Sequence, residues 1–246
     1  MEHAMTIALA IVIIAISTVL QGITGFGFGL LAAPLLLLFV TKTTSVATLI
    51  TTGTGLNAYL LWRLRDEAKI DHQLFIWLLA STLIGLPVGV YVLKVVDTHT
   101  LRIVAGAFVV LFAALFYWNK VTVPRTNLAT VVAGIPAGVL QASIGLLGPL
   151  VALLLSGQKR PKNEVRKTLA AFFLAGNIIT LTLFHFAGTL STKGLVLGAL
   201  CIPGAFLGGH IGNAIARRVS QVQFMRLTFA LVFVAGAVAV YTGLTE

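Results

Sequence analysis

Apolar runs long enough to cross a bilayer recur from one end of this chain to the other and leave no room for a water-soluble domain. Cut at charge and turn clusters, they fall near 5–22, 28–40, 44–62, 74–96, 101–118, 127–143, 145–155, 167–186, 191–214 and 224–243. Most have the ~20 residues a helix needs to span hydrocarbon. The second and seventh do not: at ~1.5 Å per residue they reach only ~20 Å or less. The longest polar stretch, "SGQKRPKNEVRK" at 156–167, is a loop.

Composition agrees. The 246 residues are 58% hydrophobic and 10% charged, with mean hydropathy +1.02, and a soluble exterior could not be built from so few charges. The expected fold is therefore an all-α polytopic membrane protein, with the lipid bilayer as its solvent. The N-terminal run has an acid and no Lys or Arg ahead of it, and no convincing cleavage site follows, so it reads as a retained helix and not a signal peptide. A net charge of +10 would suggest nucleic acid in a soluble protein. Here the basic residues lie between apolar runs, orientation explains them, and no nucleic-acid partner is expected. The single cysteine, Cys201, excludes an intrachain disulfide.

With ten segments, or with segments paired as in-and-out hairpins, thirteen of the 17 Lys and Arg fall on one side. Lys42, Lys94, Arg102 and Lys193 fall on the other. The basic side is the cytoplasmic one, which puts both termini outside.

The chain is also written twice. Leu20-Gln21 recurs as Leu140-Gln141, Gly25 as Gly145, Thr48-Leu49 as Thr168-Leu169 and Asn57 as Asn177, each 120 residues on. With a small drift, "GLPVG" at 85–89 then matches "GGHIG" at 208–212. Residues 1–122 and 123–246 are expected to form two transmembrane repeats of about five segments each. An odd number makes the second copy enter from the opposite face, giving an inverted-topology pair. An old duplication kept for stability alone would leave the same trace.

Both short segments follow a glycine-rich break, "GITGFGFG" in the first half and "ASIGLLGP" in the second. A helix broken at membrane depth exposes backbone N–H groups that must face protein or a water-filled cavity. Such ends carry partial positive charge and hold anions without a cationic side chain. Glycine lets a ligand approach the backbone. The expected ligand is a small anion, held by backbone at Gly25, Gly27, Gly29, Gly145 and Gly148. Gln21, Thr24, Gln141 and Ser143 lie within a turn or two, and Asn57 and Asn177 are symmetry mates that either line the cavity or bond between helices. The plainer reading of Gly25-x-x-x-Gly29 is a helix-packing face. That reading is preferred for Gly134-x-x-x-Gly138 and Gly204-x-x-x-Gly208.

All seven acids lie in loops or at termini, whereas a cation carrier or carboxylate proton relay places an acid in the membrane. His185 and His210 are weak candidates for carrying protons. No cluster suits a metal, no cofactor is expected, and an intramembrane enzyme would need a nucleophile, metal cluster or acid pair that the chain lacks. A homo-oligomer and a co-transported ion are both compatible with the sequence, which specifies neither.

At "LQGITGFGFGLLAAPLLL" and its echo "GVLQASIGLLGPLVALLL", and again in "GLPVGVYVLKVVDTHTLRIVAGAFVVL" and "GHIGNAIARRVSQVQFMRLTFALVFV", the chain resembles the sulfite exporter TauE/SafE family of permeases. The resemblance implies a secondary transporter, in the export direction, of small sulfur-containing anions such as sulfite or organosulfonates. The alternative is an anion channel, or a carrier for other small organic anions. The second half departs from the pattern: Pro149 comes four residues after Gly145, while Pro34 comes nine after Gly25.

Overall fold

A computed structural model describes residues 2–24, 27–66, 69–117, 123–158, 162–215 and 233–244. Its regular elements are all helices: α1 Glu2–Thr24, α2 Phe28–Leu36, α3 Lys42–Arg63, α4 His72–Val95, α5 Thr98–Tyr117, α6 Asn127–Ile144, α7 Gly148–Gly157, α8 Lys162–Phe186 and α9 Thr192–Ile215, then α10 Phe233–Leu244. The ten correspond one for one to the apolar runs of the sequence, with residues 224–232 of the last run lying outside the described residues. Turn chemistry sets several of the starts. Thr41, Asp71 and Thr126 are extended residues whose side chains accept the N–H three residues on, at the starts of α3, α4 and α6.

Six helices, α1, α4, α5, α6, α8 and α9, are long and apolar enough to cross a membrane. Their outward faces show why lipid is needed. Along α4, Ile84, Val88, Tyr91 and Val95 are each more than half exposed, an apolar stripe that water would penalise. The protein is a multi-pass membrane protein.

Although it has 22 residues, α3 is not among those six. Its Thr and Asn residues lower its hydropathy, and it is shielded by packing against α8 and α9. Thr48 and Thr52 donate to the carbonyls of Gly194 and Gly198 on α9 at 3.3 and 3.0 Å, while Thr54 turns back to Ile50 of its own helix. Hydroxyls that look merely polar in sequence thus hold a buried helix in register.

The closest packing joins α4 to α6 and α1 to α9. A Cβ on Gly85 would run into the Ile135 carbonyl, and one on Gly89 into that of Val139. On the other pair, Gly208 meets the Ala15 carbonyl and Gly212 that of Val19 in the same way. Ala15 and Ile135 stand 120 residues apart, as do Val19 and Val139, so one contact pattern is made twice along the chain. Gly134 and Gly138 also sit hard against α4, as a small-residue packing face requires. Gly204 does not: its nearest neighbour, the Ile11 Cγ2, is at an ordinary 3.4 Å from a built Cβ.

Candidate functional site

α2 and α7 have nine and ten residues, so they span only ~14–15 Å. Each begins at a break in the chain. Gly27, the residue before α2, has φ 109°, and no side chain caps that helix start. Gly145 has φ 77° and closes α6 by folding the N–H groups of residues 145 and 146 back onto the carbonyls of Gln141 and Leu140, at 3.0 and 3.2 Å. Both conformations are left-handed, where a Cβ is disfavoured.

The two breaks meet. A Cβ on Gly29 would lie 2.9 Å from the Leu146 Cδ2 and 3.1 Å from the Gly145 carbonyl oxygen. Gly29 therefore serves close approach between the two breaks and not the packing of one long helix on another. Around this junction is a cavity of about 50 Å³ lined by α1, α2, α3, α6, α8 and the 145–149 break. One ordered water needs ~10–15 Å³ measured this way, so the cavity holds a few waters or one small solute.

Four amide side chains interrupt an otherwise largely apolar cavity wall. Gln21 and Asn57 line it from the first half of the chain, Gln141 and Asn177 from the second, and all four are at least 95% buried. Gln21 Nε2 donates to Asn57 Oδ1 at 3.3 Å, and Gln141 Nε2 to Asn177 Oδ1 at 2.7 Å. The pair repeats with identical 36-residue spacing, a bond that identity and position in the sequence alone did not predict. The pairs differ in what remains. Asn57 Nδ2 is engaged with the Gly53 carbonyl of its own helix at 2.7 Å. Among the described residues Asn177 Nδ2 has no such bond. A Cβ at Gly53 would lie 2.9 Å from Asn177 Nδ2 and 3.9 Å from Asn57 Nδ2, so both amide donors converge on the gap that this glycine leaves.

Of the residues expected from sequence, Gln21, Gly27, Gly29, Asn57, Gln141, Gly145, Gly148 and Asn177 line this cavity. Ser143 is buried but does not line it, and its hydroxyl donates to Val139 of its own helix at 2.7 Å. Gly25 lies outside the described residues, as does the Thr24 side chain. His185 and His210 are exposed and face away from the cavity. Sequence reasoning missed Gly53, Phe28 and Phe173, which also line it. Gly53 carried one usable signal, its place one turn before Asn57.

One basic side chain reaches the first break. Arg166 of α8 donates to the Gly22 carbonyl at 3.2 Å and to Asn213 Oδ1 of α9 at 3.3 Å, a cation at the negative end of α1. No charged side chain lines the cavity itself among the described residues. They also contain no cluster of His, Cys, Asp and Glu fit to hold a metal ion.

Comparison with known proteins decides the family. The family model for the sulfite exporter TauE/SafE matches residues 9–239. The chain belongs to the TauE/SafE family. No curated protein and no solved structure gives a match. As a TauE/SafE protein with six long apolar helices, it is a membrane transporter.

Proposed function

We propose that this TauE/SafE protein is a secondary transporter, in the export direction, that carries small sulfur-containing anions such as sulfite or organosulfonates by alternating access. The observation that carries this reading is the uncharged cavity, with four buried amide side chains in its wall, where the breaks before α2 and α7 meet. In a low-dielectric interior a dipole-lined site discriminates strongly between solutes. N–H groups and amide hydrogens favour an anion, and the absence of a lining carboxylate leaves a cation without a partner.

In this proposal residues 1–122 and 123–246 are the two inverted repeats, supported by amide pairs that recur at 120-residue spacing and by a helix contact whose glycines recur at 123. The basic clusters lie on the cytoplasmic face of a prokaryotic inner membrane, and both termini are periplasmic. The anion takes hydrogen bonds from Asn177, from the amides beside it and from backbone at Gly27, Gly29 and Gly148. One half then moves against the other to open the site to each side in turn.

Binding of sulfite, methanesulfonate and acetate to purified protein tests the site. Sulfur oxyanions should bind and acetate should bind less well. Gly27→Leu, which places a side chain at φ 109°, should abolish binding in protein that still inserts; retained binding would refute the proposed site. Counterflow in vesicles separates the carrier from its rival, since saturable exchange supports it and flux at single-channel rates would make the protein an anion channel.

A further inference from the structure

The two short helices share a second feature, at the ends away from the cavity. α2 ends at Leu36 with Leu37 as its C-cap, and the Leu37 carbonyl accepts from Arg102 Nε at 3.1 Å. α7 ends one residue before Gln158, and the Gln158 carbonyl accepts from both Nε and Nη2 of Arg125 at 3.1 and 3.0 Å. The arginines come from unrelated places. Arg102 is in α5 and 6% exposed; Arg125 precedes α6 and is exposed. They do not correspond under the 120-residue repeat, since Met5 and not Arg102 stands 120 residues before Arg125. Two different elements thus bring a guanidinium to the same position on each half-helix.

A short helix carries about half a negative charge at its C-terminus. In a helix only ~14–15 Å long, that pole partly cancels the positive field its N-terminus presents to the cavity. A cation on the last carbonyl offsets that pole. We propose that Arg102 and Arg125 are positioning residues of the anion site, setting its affinity through α2 and α7 without touching the solute. The proposal rests on the anion-binding reading given above.

At ~15 Å and an effective dielectric near 20, one unit charge changes the affinity of a monoanion by roughly five- to tenfold, and that of a dianion by about the square of that factor. Arg102 is buried and exerts the full effect. Arg125 is exposed, so its effect is smaller and salt-dependent.

The test is isothermal titration of purified protein with methanesulfonate, a monoanion, and with sulfite in alkaline buffer, where it is a dianion. Arg102→Gln should weaken methanesulfonate binding roughly five- to tenfold and sulfite binding by about the square of that. Arg102→Lys should restore most of both losses, because it keeps the charge. Arg125→Gln, on the exposed surface, should show the same charge dependence at low salt and lose it at high salt. Equal losses for the two anions, or no loss in either glutamine variant, would overturn the proposal while leaving the anion site standing. Failure of the unmodified protein to bind either anion would overturn the site and this inference with it.

Discussion

Gly53→Ala separates binding from stability more cleanly than any other single change. Gly53 lies in the interior of α3, where alanine is favoured over glycine by about 1 kcal/mol. The added Cβ meets one atom closer than 3.0 Å, Asn177 Nδ2 at 2.9 Å, the far end of a side chain that can turn aside. The fold should therefore tolerate the methyl and be as stable as before, or slightly more so. The cavity should not tolerate it, because the displaced amide is the donor with no bond of its own among the described residues. A hydrogen bond to a charged group contributes ~1.5–3 kcal/mol, so the dissociation constant for sulfite should rise roughly ten- to a hundredfold. Calorimetric titration gives that constant, and a thermal melt of the same sample in detergent gives stability. An unchanged constant for sulfite would refute the reasoning, for it would mean that the Asn177 amide holds no part of the anion.

Other outcomes follow from the same geometry. Asn177→Asp places a carboxylate beside the anion, and like charges ~4 Å apart cost about 4 kcal/mol at an effective dielectric near 20; sulfite binding should fall more than about a hundredfold at neutral pH and partly return as acid protonates the new group, which titration at two pH values measures. On α9, Gly208→Ala should destabilise the protein by ~1–3 kcal/mol because the methyl meets the backbone of α1, whereas Gly204→Ala should be close to neutral, as thermal unfolding of the two variants will show. At the start of α5, the Thr100 N–H and then its hydroxyl, bonded at 2.9 and 2.7 Å, hold the Asp97 carboxyl below the usual carboxylate range. A lowered folded value means stabilisation that is present above the ordinary carboxylate pKa and lost as pH falls through the folded one. The melting temperatures of the unmodified protein and of Asp97→Ala should therefore differ at neutral pH and converge in acid.

Among the described residues, the number of helices and roughly where each lies could be read from hydropathy along the chain. Hydropathy is a property of each residue in turn, and lipid selects for it over a whole span, so no knowledge of neighbours is needed. The two short helices were legible for the same reason, as were the breaks at Gly27 and Gly145, where glycine marks backbone that other residues rarely adopt. The repeated Gln and Asn stood out because equal spacing is visible without any structure.

Tertiary structure alone decided what those residues do. Nothing local says that Gln21 turns to Asn57 while Ser143, nearer to its own break, turns back to Val139, because a helix's rotation about its axis is fixed by what packs on it. Gly53 had no chemistry to announce it and matters only because Asn177 comes from another helix to face it. Arg102 and Arg125 entered the sequence reading as charges to be assigned to a side. Their place at the ends of α2 and α7 comes from contacts between elements 65 and 33 residues apart. Such contacts depend on shifts of a few ångströms in how helices dock, and patterns of hydrophobicity within a single helix do not encode them.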